Sequence, residues 1–304
     1  MYTNSFNNNN WLKQFRTAST QKAGFLRAEI FQQTIEIVHS GGYVLDGKEI
    51  AVDKTNIADN TEFFDAQFSL GSMSRQHETK FSVVEADCLE VAELLVKAGF
   101  HPCVLNMASR QNPGGGVLNG SGAQEENLFR RSNLFASLYQ FADYAAQYGI
   151  ARSAKQYPLD RNHGGIYSCD VTVFRSSESS GYALLDVPFH TSVVSVAALN
   201  RPELEKINGQ LRIAQHLIEP TKEKMRTILR IAGKYNHNAL ILSAFGCGAF
   251  CNPPEHIAVL FKEVFAEMEF KGRFSLVVFA IISDQNSNRV HNPNGNFEPF
   301  RKVF

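Results

Sequence analysis

Three consecutive glycines and a pair of carboxylates stand close together in the stretch NMASRQNPGGGVLNGSGAQEENLFRR, residues 106–131. Gly114, Gly115 and Gly116 have no Cβ atoms, so a ligand can approach the backbone closely and positive φ angles are accessible. Successive amides in such a loop can bind an anion. Pro113 restricts the chain just before the glycines, which favours a shaped loop over a flexible surface turn.

Seven residues separate Gly116 from Gln124, Glu125 and Glu126, at the predicted start of a helix. Acidic residues in a first helical turn usually do no more than interact favourably with the helix dipole. Beside an anion-binding loop, however, a carboxylate is electrostatically costly. Its presence there indicates a use in chemistry, as a general acid.

A second glycine-containing loop, SAFGCGAF, spans residues 243–250. It follows a predicted strand and precedes a predicted helix, which is the context of a phosphate-binding loop. It lacks both the lysine of a P-loop and the GxGxxG of dinucleotide-binding enzymes. Phe250 fits a core position and a position against a sugar or base equally well. Cys247, Cys251 and His256 do not have the spacing of a closed zinc site, so we expect buried thiols and no metal ion.

The elements that position these loops alternate between strands and helices from residue 81 onward. We predict strands over 81–85, 103–107, 183–187, 192–197, 239–244 and 275–282, and helices from Asp87 to Gly99, over 124–148, around 225–232 and from Pro254. Asp87 is the expected N-cap of its helix. The alternation predicts an α/β fold with a largely parallel, covered sheet. Ligands bind at the carboxyl ends of the strands in such folds, where both glycine loops fall.

The first 80 residues do not follow this alternation. We expect a flexible lead over 1–10, one helix from Trp11 to Val38 that ends before Gly41, and an irregular segment with short strands over 43–80. The sequence therefore predicts an N-terminal helical and irregular accessory segment, 1–80, packed on a core domain, 81–304. The tail over 284–304 is polar and is predicted to form a loop.

Composition limits the classes of function. The 304 residues carry 30 Lys+Arg and 30 Asp+Glu, and this zero net charge disfavours a nucleic-acid coat. Arg130 and Arg131 are expected to be solvated helix charges rather than contacts for a polyanion. The five cysteines include no CxxC, which favours a reducing compartment. With neither a signal peptide nor an apolar run of roughly 20 residues, the chain is predicted to be soluble and cytoplasmic.

In the first loop, GGG is followed after seven residues by QEE. This arrangement resembles the signature of poly(ADP-ribose) glycohydrolases. The wider stretch from Asn106 to Leu134 is similar to the bacterial-type branch of this family, which is built on a macrodomain. Three further segments are similar to the same branch: VVEADCLEVA at 83–92, IYSCDVTVFR at 166–175 and ALILSAFGCGAFCNPP at 239–254. The resemblance covers roughly residues 15–284. Many macrodomains carry a second asparagine three residues after the first, whereas Ser109 stands there in this sequence.

This resemblance implies a three-layer α/β/α macrodomain with a mostly parallel mixed sheet that binds ADP-ribose without a cofactor. Asp87 would accept a hydrogen bond from the adenine amino group, and Asn106 would hold the distal ribose. The first loop, Gly114, Gly115, Gly116 and Val117, would contact the diphosphate and distal ribose. The second loop, Gly246, Cys247, Gly248 and Ala249, would wrap the diphosphate, with Phe250 against the distal ribose. Gln124 and Glu125 would orient the site, and Glu126 would be catalytic.

The resemblance further implies that the enzyme cleaves ribose–ribose O-glycosidic bonds of poly(ADP-ribose) on modified proteins and releases ADP-ribose. An enzyme that follows a long polyanion along its length would need a basic groove, which the neutral chain does not suggest. Recognition of the terminal ADP-ribose unit in an amide-lined cleft suits the chain better, and this predicts exo-cleavage. We expect a monomer that binds neither nucleic acid directly nor a membrane. Two alternatives stay open, namely a module that binds ADP-ribose without cutting it and a hydrolase of single ADP-ribose groups. The Glu125–Glu126 pair favours an enzyme, because a module that only binds ADP-ribose does not need an acid there.

Overall fold

A computed structural model of the chain describes residues 1–3, 6–52, 56–71, 77–283 and 289–304. The helices are α1 Asn8–Arg16, α2 Thr20–His39, α3 Asn56–Asp59, α4 Cys88–Lys97, α5 Gln124–Arg131, α6 Leu134–Leu138, α7 Gln215–Lys234, α8 Pro254–Ala266 and α9 Phe297–Val303. The strands are β1 Tyr2–Thr3, β2 Gly42–Leu45, β3 Lys48–Ala51, β4 Thr61–Phe64, β5 Lys80–Val84, β6 Pro102–Met107, β7 Gly165–Arg175, β8 Leu184–Val196, β9 Leu204–Ile207, β10 Gln210–Ile213, β11 Ala239–Leu242 and β12 Leu276–Ala280. No helix within these described ranges is long and apolar enough to cross a bilayer.

Seven strands form the main sheet in the order β4-β7-β8-β6-β11-β12-β5. β6, β11, β12 and β5 run parallel, and Ala239 of β11 lies opposite both Pro102 of β6 and Leu276 of β12. All four residues of β11 are apolar and buried, as expected for a strand that is covered on both faces. The predicted α/β class with a largely parallel sheet is therefore confirmed.

The chain divides into two compact units. The first unit comprises 1–62, 111–158 and 168–193, and contains α1, α2, α5 and α6. The second unit comprises 63–110, 159–167 and 194–304, and contains α4, α7, α8 and the four parallel strands. Both units are thus assembled from separate stretches of the chain. A separate accessory segment over 1–80 stays a prediction.

The N-terminal helical region consists of two helices rather than the predicted single helix from Trp11 to Val38. Asn7 and Ser19 explain the two starts, because each is an N-cap whose side chain accepts a hydrogen bond from a backbone N–H of the first turn. The prediction of a flexible lead over 1–10 is wrong at both ends, since β1 pairs with β2 and α1 already begins at Asn8. The indole of Trp11 donates to the Leu26 carbonyl over 3.3 Å and is buried against Tyr182.

The predicted helix over 124–148 is wrong beyond Arg131. Ser132 has an extended backbone, with φ −147° and ψ 173°, and forms an isolated antiparallel bridge with Val173. The Asn133 side chain then accepts the Thr172 N–H over 2.8 Å, which ties the break to β7. After α6 the chain continues in two short 3-10 turns, over 139–141 and 145–148.

The strands predicted over 183–187 and 192–197 are wrong as separate elements, because they form one strand, β8. The neighbouring strand β7 was not predicted.

The C-terminal tail is not simply a loop, because α9 buries Phe300 completely, with its ring 5.1 Å from the ring of Phe279. Spaced apolar residues in a short polar segment, such as Phe297 and Phe300, are the signal that was available. Residues 284–288 lie outside the described residues.

Candidate functional site

The first glycine loop, residues 114–116, adopts a conformation that requires glycine. Gly114 and Gly115 have φ angles of +77° and +54°, in the left-handed region that side chains disfavour. A Cβ atom on Gly115 would lie 2.6 Å from Glu126 Oε1, and one on Gly114 would lie 2.5 Å from the Phe129 ring. Helix α5 therefore packs directly against the loop, with no space for side chains between them.

The carboxylates of α5 bind the backbone of this loop. The Gly114 N–H donates to Glu125 Oε1 over 3.1 Å, and the Gly116 N–H donates to Glu126 Oε1 over 2.9 Å. The Gly115 N–H donates to the Asn112 carbonyl over 3.1 Å. All three amides are thus used inside the protein, and they do not stand free as the anion-binding nest suggested by the sequence.

Among the described residues, Glu126 has a hydrogen-bond partner at only one of its two carboxylate oxygens. The residue is buried, with 7% of its surface exposed. Its Oε1 accepts the Gly116 N–H, whereas its buried Oε2 has no hydrogen-bond partner among the described residues. Its place in the first turn of α5 puts the carboxylate at the positive end of the helix dipole. A carboxyl group held by one oxygen and unoccupied at the other suits proton transfer to a bound substrate.

A cavity of about 490 Å³ opens beside the loop within the same unit. Its lining residues are Asn112, Gly115, Leu118, Asp143, Tyr144, Gln147 and Tyr148. Burial, with smaller effects from Tyr148, Asp143 and Glu125, raises the pKa of Tyr144 to about 12. This wall was not predicted, because 124–148 was expected to form a single helix. The closely spaced tyrosines after the QEE stretch were the available signal.

Arg130 and Arg131 are buried, and the expectation that they are solvated helix charges is wrong. Arg130 is fully buried, and it donates from Nε to the Tyr182 hydroxyl and from Nη1 to the Ser121 carbonyl, both over 2.8 Å. Arg131 donates from Nε to the Arg175 carbonyl over 3.2 Å. These hydrogen bonds offset part of the cost of burying two guanidinium groups, while Arg130 Nη2 is buried without a partner among the described residues. Through Ser121, Arg130 holds the turn that follows the first loop.

The second glycine loop belongs to the other unit and is shaped by Asn252. The buried Asn252 side chain donates to three carbonyls, those of Leu199 at 2.8 Å, Gly246 at 3.0 Å and Phe250 at 3.2 Å. Gly246 has a φ angle of +74°, and a Cβ atom there would lie 2.6 Å from both the Ala198 Cβ and the Asn252 Nδ2. The sequence reading missed Asn252, although an asparagine before Pro253 at the end of a glycine loop is a typical turn-shaping residue.

The amides of the second loop differ from those of the first. Gly248, Ala249 and Phe250 have N–H groups with no acceptor among the described residues, and Gly248 and Ala249 are at least partly exposed. Cys247 is completely buried, and burial raises the pKa of its thiol well above the usual value, which makes it a poor nucleophile. This loop therefore offers backbone donors that an anion can use.

The remaining predicted site residues have clear structural positions. Asp87 is the N-cap of α4, and its Oδ1 accepts the N–H groups of Leu89 at 2.9 Å and Glu90 at 3.1 Å, as predicted. Asn106, at the end of β6, is fully buried and donates from Nδ2 to Ser195 Oγ over 3.0 Å. Val117 is buried in the 3-10 turn after the glycines, and Gln124 begins α5.

The structure thus brings together the first loop, Val117 and the acidic pair in the first unit. Asp87, Asn106 and the second loop belong to the second unit. Within the ranges that the structure describes, no group of three or more histidine, cysteine, aspartate or glutamate side chains is placed to hold a metal ion. His256 instead accepts the Ile213 N–H at its Nδ1 over 3.0 Å.

Comparison with known proteins gives one family match. Residues 31–176 match the model of the family described as microbial-type PARG, catalytic domain. This stretch contains α5 and the first glycine loop. A search of curated proteins finds no match.

Solved structures extend the similarity over most of the chain. A poly(ADP-ribose) glycohydrolase from Thermomonospora curvata is 28% identical, with a TM-score of 0.73, over 91% of this chain and 99% of that chain. The same enzyme bound to the inhibitor ADP-HPD is 26% identical, with a TM-score of 0.71 and the same coverage. A poly(ADP-ribose) glycohydrolase from Deinococcus radiodurans in complex with ADP-ribose shares the fold, with 24% identity and a TM-score of 0.61, over 86% of this chain and 98% of that chain.

Proposed function

We infer that this chain is a bacterial-type poly(ADP-ribose) glycohydrolase, because residues 31–176 match the microbial-type catalytic domain and solved glycohydrolases share its fold over 91% of its length. The predicted macrodomain-type α/β fold is thereby confirmed. The observation that carries the activity is the geometry of Glu126, with one carboxylate oxygen held by the Gly116 amide and the other buried without a partner among the described residues.

The proposed mechanism uses Glu126 twice. Protonated Glu126 donates its proton to the oxygen that leaves the anomeric carbon, while the bond between that carbon and the oxygen breaks. The resulting oxocarbenium-like ribose is stabilised by the diphosphate of the bound unit. The Glu126 carboxylate then takes a proton from an attacking water, whose oxygen bonds to the anomeric carbon. Most glycosidases use two carboxylates for these steps. Here the neighbouring Glu125 accepts the Gly114 N–H, and Glu126 acts as both acid and base in the proposed mechanism.

The ligand contacts of the second unit follow from the chemistry of its groups. The free amides of Gly248, Ala249 and Phe250 support a role in binding the diphosphate of ADP-ribose. Gly246 and Cys247 would shape that contact, and the Phe250 ring would pack against the distal ribose. We assign Asp87 to the adenine amino group and Asn106 to the distal ribose. In the first unit, Gly114, Gly115, Gly116 and Val117 would border the ribose, with Gln124 and Glu125 orienting the site.

The substrate assignment includes three finer points. We propose exo-cleavage at the end of the polymer, action as a monomer, and no direct binding of nucleic acid. All five cysteines are free thiols, which supports a reducing, intracellular setting. No cofactor takes part in the proposed mechanism.

The decisive experiment compares wild type with Glu126→Gln for release of ADP-ribose from polymer-modified protein, with calorimetric binding of ADP-ribose to both. Glutamine can still accept the Gly116 N–H but cannot act as an acid. We expect kcat to fall by about 10³-fold, within the range of general acid catalysis, while ADP-ribose still binds. Glu90→Gln is the matched control, because Glu90 is an exposed glutamate in the first turn of α4.

The other outcomes separate the alternatives. Loss of both binding and cleavage in Glu126→Gln would make Glu126 a structural residue. Binding without cleavage by the wild type would indicate a module that reads ADP-ribose. Cleavage of mono-modified protein but not of polymer would indicate a hydrolase of single ADP-ribose groups.

A further inference from the structure

A continuous series of hydrogen bonds leads from α2 to the proposed catalytic carboxylate. Arg27 binds Glu178 through two bonds, Nε to Oε2 at 2.6 Å and Nη2 to Oε1 at 2.7 Å. The Tyr182 hydroxyl donates to Glu178 Oε2 over 2.9 Å and accepts from Arg130 Nε over 2.8 Å. We name Arg27, Glu178, Tyr182 and Arg130 the arginine–tyrosine relay.

The relay ends on the loop that supports Glu126. Arg130 Nη1 donates to the Ser121 carbonyl over 2.8 Å. The Ser121 N–H donates to the Gly116 carbonyl over 3.2 Å, and the Gly116 N–H donates to Glu126 Oε1 over 2.9 Å. Ser121 also packs tightly here, because a Cβ atom on Gly116 would lie 2.3 Å from its Oγ. Each step is a direct contact within the first unit.

Burial makes this series rigid. Arg130 and Tyr182 are fully buried, and the Tyr182 ring lies edge-on to Trp11 with 5.2 Å between ring centres. A buried charged group that loses a partner is strongly disfavoured, so the relay has few alternative arrangements. The charges also alternate in sign, from Arg27 to Glu178 and, through Tyr182, to Arg130.

We propose that Arg130 is a positioning residue for the reaction, acting through Ser121 and Gly116 to fix the Glu126 carboxylate, with Tyr182, Glu178 and Arg27 holding Arg130 in place. The inference rests on the proposed function, since it assigns the support of its general acid. Arg130 serves the chemical step and not the affinity for ADP-ribose. Its loss therefore affects kcat more than it affects ligand binding.

The test uses two variants that remove different links. Arg130→Lys keeps the charge but loses the fork that reaches Tyr182 and Ser121 at once. Tyr182→Phe removes one hydroxyl and keeps the buried ring. Since a misplacement of roughly 1 Å costs on the order of 100-fold in rate, we expect kcat on polymer to fall about 10- to 100-fold in Arg130→Lys and about 10-fold in Tyr182→Phe. The ADP-ribose Kd should change by less than about threefold, a small effect on the binding scale.

Arg230→Lys is the matched control. Arg230 is another buried arginine, in the second unit, and it donates to Glu269 Oε1 over 2.8 Å and to Glu223 Oε1 over 2.6 Å, neither of which belongs to the relay. The control should lose thermal stability yet keep kcat close to wild type at temperatures where it is folded. This comparison separates positioning from general loss of packing.

Three results would overturn the proposal. Wild-type kcat in Arg130→Lys and Tyr182→Phe would limit the relay to a structural role. Equal kcat losses in these variants and in Arg230→Lys would lead to the same conclusion. An inactive wild type would refute the proposed function itself, and the positioning role with it, so the two failures are distinguishable.

Discussion

The two glycine-containing loops use their backbone amides in opposite ways. In the loop over 114–116, all three amides donate inside the protein, two of them to the carboxylates of Glu125 and Glu126. In the loop over 246–250, the amides of Gly248, Ala249 and Phe250 find no acceptor among the described residues. Glycine spacing therefore indicates that something approaches the backbone closely, but not whether it is a ligand or a side chain.

The residues that follow each loop account for this difference. The first loop is followed by an acidic helix turn that binds its amides. The second loop is followed by Asn252, whose side chain donates to carbonyls and leaves the amides unoccupied. The first loop is thus suited to holding a catalytic group, and we propose that the second serves ligand affinity. Two measurements test this division, in addition to that on Glu126, and a third tests the arginine–tyrosine relay.

The largest effect is expected at Gly115. In Gly115→Ala the new Cβ would lie 2.6 Å from Glu126 Oε1 and 3.1 Å from Glu125 Oε2, at a φ angle of +54°. Both carboxylates must move, so kcat should fall by about 100-fold or more, in line with the cost of displacing a catalytic group. Steady-state hydrolysis of polymer measures this. Gly149→Ala is the control, because Gly149 also has a positive φ, +65°, but open space at its Cβ position. Unchanged kcat in Gly115→Ala would mean that the loop does not fix Glu126.

A smaller and different effect is expected in the second loop. Asn252→Ala leaves three carbonyls without their side-chain donor and loosens the loop. ADP-ribose affinity should fall about 10-fold, within the range for losing buried hydrogen bonds, while kcat at saturating substrate stays near wild type. Calorimetry and steady-state kinetics separate the two quantities. Asn238→Ala is the control, since the Asn238 side chain accepts the His101 N–H outside the loop. A loss confined to kcat would reverse the assignment of the loops.

The smallest effect concerns stability against pH. Burial is the largest single effect and would raise the pKa of Glu178. The hydrogen bonds and charge of Arg27, the Tyr182 hydroxyl and the charge of Arg130 together outweigh it, and the pKa lies below the usual 4.5. A lowered carboxyl pKa adds stability above about pH 4.5, which is lost as the pH falls through the folded-state pKa. Urea unfolding from pH 6 to pH 3 should show a loss on the order of 1 kcal/mol in wild type that Glu178→Gln lacks. Equal pH dependence in the two proteins would contradict this role.

The sequence was informative where local chemistry decides the structure. Asp87 caps α4 as predicted, and Gly99 follows that helix with a φ angle of +80°. Pro253 is the N-cap of α8 and Pro254 its first residue, as predicted, and β6, β11 and β12 lie within one or two residues of their predicted bounds. Helix caps, prolines and apolar runs determine the backbone over only a few neighbouring residues. A single sequence is therefore enough to predict the elements that depend on them.

What the sequence did not reveal depends on partners distant along the chain. Helix α5 ends because Ser132 bridges Val173, and Arg130 is buried because Tyr182 and Ser121 accept its N–H groups. Likewise, the glycine amides are occupied because Glu125 and Glu126 bind them. The helical pattern over 130–148 gave no sign of these contacts. Glu126 was found as the candidate acid, whereas its supports were found only with the structure.

The contact between α2 and the first loop region bears on how fragments of this chain are chosen. Gly120 packs backbone to backbone against Gly24, and a Cβ atom on Gly120 would lie 1.7 Å from the Gly24 carbonyl oxygen. The matched family region starts at residue 31, within α2, and thus leaves out both Gly24 and Arg27. A fragment cut at that boundary would retain Glu126 and all three glycines yet lose part of their scaffold. Expression boundaries are better set before Asn7, the residue that caps α1.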